Sequence, residues 1–456
     1  MSHTTAPDPA SAARPTPPGR GDLPGLPGLP GRTAAEPGRT RLGRLSLTFT
    51  LGNSALIMLW ISVGSFLIPM QVTAIKGHPD PDALKNAVAV GAALAAIGNP
   101  VFGQISDRTR SRFGRRAPWL AVCVLLGGAA LAWQAQATSI AALAISWACV
   151  QFILNGFQAA LASTMPDRVP PARYGTMSAL VGLATPIAIL AAAVVIGGID
   201  GHKLGYDGVI GGFDGRFQGE KGYYLVIGVI VAATALFLFL TPDTSSKDMA
   251  VEPFALRKFL ANFWVDPRKH PDFAIAFVSR FGVVAGYFVV STYNLYILME
   301  YVKVEPRNAA ATMGFLMVVN AVAMVAAALV IGLVADKVGR VKPFVLASGI
   351  LMALSLFIPQ MSPSVDGMTV FNVVNGAAFG MYTAVDMALI TKVLPRGEDA
   401  GKDLGIINIA NAAPQVAAPF IASAIVGSWG YGALFPVCAG IALVGSVLVV
   451  GVRSVR

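Results

Sequence analysis

Twelve long apolar segments follow one another along the chain, and this run of segments limits its possible folds more than any other feature. They cover residues 48–72, 84–105, 117–137, 139–163, 177–198, 223–241, 273–299, 310–335, 343–361, 368–394, 404–427 and 432–452. A helix that spans a bilayer needs about 20 apolar residues. Backbone groups in lipid must be paired within the protein, so we expect each segment to form a helix. The sequence therefore predicts an all-α membrane protein with twelve transmembrane helices.

The composition excludes the main classes of non-membrane protein. Of the 456 residues, 55% are hydrophobic and 13% are charged, against about 45–50% and about 25% in soluble domains. The three cysteines, Cys123, Cys149 and Cys438, lie in apolar segments without CxxC spacing. That pattern indicates neither a disulfide framework nor a zinc site. A soluble enzyme, a disordered protein and a fibrous protein are excluded, and we expect no metal site and no cofactor.

Two parts of the chain differ in composition from the apolar segments. Residues 1–44 hold nine prolines and seven glycines, which predicts a disordered cytoplasmic tail; a later start codon is the alternative. Residues 242–272 form a polar linker, within which 254–264 has the pattern of an amphipathic interfacial helix. The remainder divides into an N-terminal bundle, 45–241, and a C-terminal bundle with a short cytoplasmic tail, 273–456.

The basic residues are distributed unevenly across the predicted membrane. The chain carries 34 Lys and Arg residues and a net charge of +10. With both termini in the cytoplasm, 26 of the 34 fall in cytoplasmic segments, 7 fall in outer loops, and Arg280 lies within a span. Basic residues accumulate on the cytoplasmic side of membrane proteins. The excess charge is thus a sign of topology and not of a nucleic-acid partner.

We expect a monomer in the cell membrane, and the Arg- and Ala-rich composition favours a bacterial inner membrane.

A loop sequence occurs twice in the chain. GQISDRTRSRFGRR begins at Gly103, and GLVADKVGRVKP begins at Gly332, 229 residues later. Internal repeats of this kind are typical of secondary transporters. The repeat predicts two six-helix halves.

The two loops resemble the loop motif of the major facilitator superfamily, which occurs between helices 2 and 3 and, in weaker form, between helices 8 and 9. The matching residues are Gly103, Asp107, Arg108, Gly114, Arg115 and Arg116 in the first copy, and Asp336, Gly339 and Arg340 in the second. The resemblance covers residues 45–452 and implies two pseudo-symmetric six-helix bundles. It also implies that these residues form a conformational latch between helix ends, which sets the balance between inward- and outward-facing states.

A longer string narrows the resemblance. ISDRTRSRFGRRAPW, at residues 105–119, is similar to the glycoside–pentoside–hexuronide:cation symporter family, and especially to its sucrose:proton branch. Residues 405–409 and 413–415 (GIINI and APQ) resemble the same branch. The resemblance implies proton-coupled symport of a sugar or glycoside by alternating access. Better-known relatives couple cations through acidic residues on helices 2 and 4. Here segments 2 and 4 offer amides such as Asn99 but no carboxylate, which argues against sodium as the coupling ion.

Two formal charges lie deep inside the apolar segments, Arg280 in segment 7 and Asp386 in segment 10. Each would cost about 2.5–3.5 kcal/mol at the centre of an isolated helix. At 1.5 Å per residue, they lie about 10 Å and about 13 Å from the predicted cytoplasmic ends of their segments. Because these depths match, we expect an ion pair in which Asp386 is the protonatable coupling group. The alternative is a static pair that only holds the two helices together.

Polar side chains recur on single faces of three segments. They are Gln151, Asn155 and Gln158 on segment 4, Arg280, Tyr287 and Asn294 on segment 7, and Asn375, Tyr382 and Asp386 on segment 10. Amides and arginine bind hydroxyl groups, and aromatic rings stack on sugar faces. We therefore expect these side chains to line a cavity for a small polar solute. The alternative is that the amides only bridge neighbouring helices.

Two other functions compete with symport. The first is a proton-coupled exporter or antiporter of an amphipathic metabolite, and the second is a membrane sensor that binds a solute without transporting it. The doubled loop and the lack of a signalling domain argue against the sensor. An enzyme is not expected, because no span holds a nucleophile–base pair or two carboxylates, and the GxxxxGK[ST] pattern of nucleotide-driven pumps is absent.

Overall fold

The computed structural model describes residues 42–170, 173, 177, 180–197, 199–200, 209–210, 219–247, 271–338, 342–393 and 400–452. Four features predicted above lie outside this part of the chain. They are the tail up to residue 41, the linker helix 254–264, and Gly339 and Arg340 of the second loop. Asp336 lies in a described helix, but its side chain is not described.

Long helices make up almost all of the described chain. They are α1 (Leu42–Lys76), α2 (Pro81–Arg108), α3 (Ala117–Ala135), α4 (Ile140–Ala162), α5 (Leu180–Gly197), α6 (Glu220–Leu240), α7 (Pro271–Thr292), α8 (Pro306–Val338), α9 (Lys342–Met361), α10 (Val365–Val393), α11 (Ala400–Trp429) and α12 (Tyr431–Gly451). Each of the twelve apolar segments falls on one of them. A short helix, Thr164–Arg168, follows α4, and two short antiparallel strands, β1 (Ile199–Asp200) and β2 (Val209–Ile210), follow α5.

These helices are long enough to cross a bilayer. Ten of them combine sufficient length with an apolar 18-residue stretch. The other two, α10 and α11, have 29 and 30 residues, or about 45 Å at 1.5 Å per residue, against a hydrocarbon core of about 30 Å. The prediction of an all-α membrane protein is confirmed.

Local sequence signals set where several helices begin and end. Asp80 precedes α2, and its carboxylate accepts a hydrogen bond of 2.9 Å from the Ala83 amide, with Pro81 in the first turn. Ser139 caps α4 in the same way through the Ala142 amide. Gly77 ends α1 with a φ of 79°, a conformation that glycine adopts without steric cost. Caps of this kind satisfy amides that a helix end would otherwise leave unpaired.

The packing of the helices repeats after six helices. In the N-terminal half, α2 packs on α4, α1 on α5 and α6, and α3 on α4 and α6. In the C-terminal half, α8 packs on α10, α7 on α11 and α12, and α9 on α10 and α12. The contacts between the halves follow the same rule, since α2 packs on α11 and α5 packs on α8. The chain therefore forms two pseudo-symmetric six-helix bundles.

Three helices depart from regular α-helix toward their predicted outer ends. Ser62–Leu67 in α1, Ala193–Gly197 in α5 and Ile297–Tyr301 beyond α7 are π-helical. In addition, α7 is interrupted at Tyr293 before a short continuation, Asn294–Tyr296. Such segments occur frequently at functional sites.

Candidate functional site

Arg280 and Asp386 lie in contact between α7 and α10. Arg280 Nη1 is 2.7 Å from Asp386 Oδ2, and the two residues are 6% and 4% exposed. The Tyr382 hydroxyl donates a hydrogen bond of 2.7 Å to the other carboxylate oxygen, Oδ1. One carboxylate oxygen therefore accepts a hydrogen bond, and the other forms an ion-pair contact with the guanidinium.

Close glycine packing sets the direction in which Arg280 points. Gly282 and Gly286 lie directly against the α12 backbone, so that face of α7 is occupied by α12. Arg280 is two positions before Gly282, about 200° round the helix. Its side chain therefore leaves α7 on the side away from α12, where it meets α10.

Three aromatic side chains form a row beside the ion pair: Tyr287, Phe379 and Tyr382. The rings of Tyr287 and Phe379 stack with centroids 4.0 Å apart and planes 12° apart, and Phe379 and Tyr382 are 6.1 Å apart. The Tyr287 hydroxyl also donates to Asn320 Oδ1 on α8 over 3.1 Å. Phe379 was not among the predicted site residues, because the sequence search looked for polar groups on the helix faces.

The other predicted cavity residues are arranged differently. Asn375 is buried, and its amide donates to Ser355 Oγ on α9 over 3.1 Å, so it connects two helices. Asn294 lies beyond the interruption in α7 and is buried. On α4, Asn155 donates to Gln151 Oε1 over 3.1 Å, and Gln158 is exposed. The structure therefore brings together only some of the predicted set.

A second cluster joins the predicted cytoplasmic ends of α2, α3 and α4. Arg116 is 6% exposed. Its guanidinium lies 2.5 Å from Asp107 Oδ1 and 2.9 Å from Asp167 Oδ2, and it donates to Ser106 Oγ over 2.5 Å. Arg115 also pairs with Asp167. The cluster thus contains three predicted latch residues and adds Asp167 as the group shared by both arginines.

Other latch residues contact their surroundings in different ways. Arg108 donates to Gln104 Oε1 on its own helix over 2.6 Å. A Cβ added at Gly103 would lie 4.0 Å from the Ala159 Cβ on α4, an ordinary contact distance. Gly114 has a φ of 86°, and an added Cβ there would overlap the Asp243 carboxylate. Asp243 also accepts from the Arg116 backbone amide over 3.3 Å, so the segment after α6 is attached to this loop.

The two halves are joined at their predicted outer ends. The Tyr293 hydroxyl donates to the Pro81 carbonyl oxygen over 2.8 Å, and the Tyr296 hydroxyl donates to the Pro69 carbonyl oxygen over 3.1 Å. A third bond runs from Ser423 Oγ on α11 to Asp82 Oδ1 on α2 over 2.6 Å. We call these three hydrogen bonds the outer junction. They keep the outer ends of α1, α2, α7 and α11 together.

The buried polar groups described above lie at contacts between helices. Within the described ranges, no group of three or more His, Cys, Asp or Glu side chains is placed to hold a metal ion. The buried polar groups instead connect helices, through the Arg280–Asp386 pair, the Arg116 cluster and the outer junction.

Comparisons with solved structures identify the fold. The chain superposes on the nucleoside transporter NupG with a TM-score of 0.67 and 14% identity, covering 90% of this chain and 100% of that one. The D323A mutant of NupG gives a TM-score of 0.68 and 15% identity, covering 90% and 99%. A bacterial homologue of the human lysosomal transporter Spinster, in an inward-facing and unoccupied conformation, gives a TM-score of 0.58 and 16% identity, covering 90% and 94%.

Sequence comparison gives the family. No curated protein gives a significant match to the chain. The family model for the Major Facilitator Superfamily matches residues 49–302 and 281–456, and so accounts for both helical bundles. The chain belongs to the Major Facilitator Superfamily and has the fold of its secondary transporters.

Proposed function

We propose that this transporter carries a polar organic solute, of the sugar or glycoside class, together with protons. The observation that supports this most is the buried contact of Arg280 with Asp386, whose carboxylate also accepts from Tyr382. Intramembrane ionisable residues are expensive and commonly mark ion or proton pathways. Because the Asp386 carboxylate joins α7 to α10, binding of a proton there weakens the contact between the two helices.

The choice of ion follows from the donors near the pair. A sodium ion takes several oxygen ligands, whereas a proton needs a single basic group. The described side chains around Asp386 supply a guanidinium in ion-pair contact with one carboxylate oxygen and a phenol that donates a hydrogen bond to the other. Donors compete with a metal cation for the same oxygen atoms, so the arrangement favours a proton.

The solute class is inferred from two groups of side chains, one beside the pair and one on α4. The row of Tyr287, Phe379 and Tyr382 supplies aromatic rings, and the pair of Gln151 and Asn155 on α4 supplies amide groups. Ring faces and amides together suit a solute that has an apolar face and a hydroxylated edge. The resemblance of the loop sequence to sucrose:proton symporters supports the same class.

Alternating access supplies the transport step. The outer junction holds the outer ends of the two halves together, so the described conformation is closed on that side. Transport requires that these bonds break while the opposite ends approach each other. The Arg116 cluster lies at those opposite ends and suits a role in the balance between the two states.

Uptake into proteoliposomes tests the proposal. Mono- and disaccharides are supplied under an imposed pH gradient or an imposed sodium gradient. Accumulation of a sugar under the pH gradient alone is expected. If no sugar accumulates under either gradient, the proposal is wrong and the exporter becomes the better description.

The role of Asp386 has its own test. Asp386→Asn is expected to keep exchange of labelled solute across the membrane but to lose uptake driven by the pH gradient. Asp366→Asn, at the outer start of the same helix, is the matched control and should behave as the wild type. Unchanged concentrative uptake by Asp386→Asn would show that the pair is only structural.

A further inference from the structure

The ion pair has no net charge in the conformation described. Arg280 and Asp386 are the two formal charges that lie more than a few residues inside the predicted spans. Their contact of 2.7 Å lets one charge balance the other, and both residues are more than nine-tenths buried. Any event that changes the charge of one member leaves a net charge at this depth.

Binding of a proton to Asp386 is such an event. In the described state, the Tyr382 hydroxyl donates a hydrogen bond to Oδ1, and the Arg280 guanidinium forms an ion-pair contact with Oδ2. A proton on the carboxyl group removes its negative charge and weakens its attraction for the guanidinium. The site then carries a net charge of +1. A buried charge whose charged partner has been neutralised is strongly unfavourable, because it stays buried.

We propose that the solute itself supplies the missing negative charge, and that the cargo of this transporter is a monoanionic polar solute whose carboxylate binds Arg280 when Asp386 is protonated. This inference rests on the proposed function, since it uses Asp386 as the proton-binding group. A guanidinium is suited to the exchange, because its planar set of donors binds carboxylates in a bidentate manner.

The exchange explains coupling without a separate gate. The carboxylate of Asp386 and the carboxylate of the solute compete for one guanidinium. When Asp386 is protonated, the solute anion binds Arg280. When Asp386 releases its proton, its carboxylate pairs with Arg280 again and displaces the anion. One proton and one monovalent anion therefore move together, and no bond other than that to the proton is made or broken.

The charge balance gives a measurable signature. A proton that travels with a neutral sugar carries a net charge, so an inside-negative membrane potential drives the uptake. A proton that travels with a monovalent anion carries none, so the potential alone drives nothing. The two cases separate when the pH gradient and the potential are imposed independently.

The experiment uses the full chain in proteoliposomes and matched pairs of probes. These are D-glucose with D-glucuronate, D-galactose with D-galacturonate, and lactose with lactobionate. We expect at least one acid to accumulate under a pH gradient. We expect no acid to accumulate under a valinomycin-imposed potential at equal pH. Protein-free liposomes correct for leakage. If a neutral sugar accumulates under either force and its acid does not, the inference is wrong, while symport with protons stands.

A binding measurement keeps the inference testable if none of these probes is transported. Asp386→Asn imitates the protonated carboxyl group, so at neutral pH the acids should raise its thermal unfolding temperature. The wild type should need acidic pH for the same rise. We expect roughly tenfold tighter binding by the variant at neutral pH. Arg280→Gln should abolish the rise in both backgrounds. Stabilisation by the neutral sugars alone, or by none of the probes, would overturn the inference.

Discussion

The Tyr293 hydroxyl, in the C-terminal half, donates a hydrogen bond of 2.8 Å to the Pro81 carbonyl oxygen, in the N-terminal half. The tyrosine is fully buried at this contact. The bond has to break each time the outer ends separate. Its loss therefore changes the energy difference between the two end states and leaves the fold within each half intact.

Tyr293→Phe should shift the protein toward the outward-open state. A buried hydrogen bond contributes about 1 kcal/mol, so the population ratio should change about fivefold. The shift is measured as a longer spin-label distance between Lys76 on α1 and Arg307 on α8, in a background without the three native cysteines. Both labelled residues are exposed and lie at predicted outer ends.

Tyr431→Phe is the matched control for this shift. The Tyr431 hydroxyl is buried and has no hydrogen-bond partner among the described residues. Its removal deletes the same atom without a bond between the halves. Equal distance distributions for the two variants would show that the outer junction does not hold the closed state.

Arg116→Lys should destabilise the purified protein strongly. The guanidinium contacts Ser106, Asp107 and Asp167 at once, and a lysine ammonium cannot reproduce this planar set of donors. We expect a loss of about 1–3 kcal/mol, since a single ammonium leaves at least one of these acceptors without its hydrogen bond. Arg112→Lys, at an exposed position of the same loop, should change the melting temperature little.

Gly114→Ala should cost more stability than Gly77→Ala. Both glycines have a positive φ, so each substitution introduces a similar backbone strain, about 1–2 kcal/mol. Only at Gly114 does the new methyl group also meet Asp243. The melting temperature should fall further for Gly114→Ala, and Asp243→Ala in the same chain should restore part of the difference. Equal losses of stability for Gly114→Ala and Gly77→Ala would show that the contact between residue 114 and Asp243 is not tight.

Asn375 and Gln151 should respond differently to alanine. Asn375→Ala removes a buried bond to Ser355 and should lower stability by about 1–3 kcal/mol, with the KM for solute unchanged. Gln151→Ala should raise KM with little effect on the melting temperature, because its side chain is only partly buried. If Asn375→Ala instead raises KM and Gln151→Ala lowers stability, Asn375 lines the cavity and Gln151 is an interhelical contact.

The sequence predicts the fold and one pair of site residues for clear physical reasons. Apolar length and the distribution of basic residues are strong signals, because lipid forbids the alternatives. Arg280 and Asp386 are conspicuous, because charges are rare inside the spans and the two have similar depth. The structure places them in contact.

The remaining contacts depend on packing that no local pattern reveals. Asp167 and Asp243 are 51 and 127 residues from Arg116, with which they form hydrogen bonds. Tyr293 and Tyr296 bind backbone oxygens, so no partner side chain indicates their role. The face that was extrapolated from Arg280 to Asn294 crosses the interruption at Tyr293, beyond which regular helical spacing no longer applies.

The π-helical segments in α1, in α5 and beyond α7 allow the outer ends a rotation that the regular helices lack. A π-turn holds one residue more than an α-turn, and its backbone remains hydrogen-bonded. When it reverts to α-helix, the surplus residue moves along the chain, and everything beyond rotates by about 100°. The outer ends of these helices can thus rotate about the helix axis while their backbone stays hydrogen-bonded in lipid. The charged residues nearer the cytoplasmic side need not move.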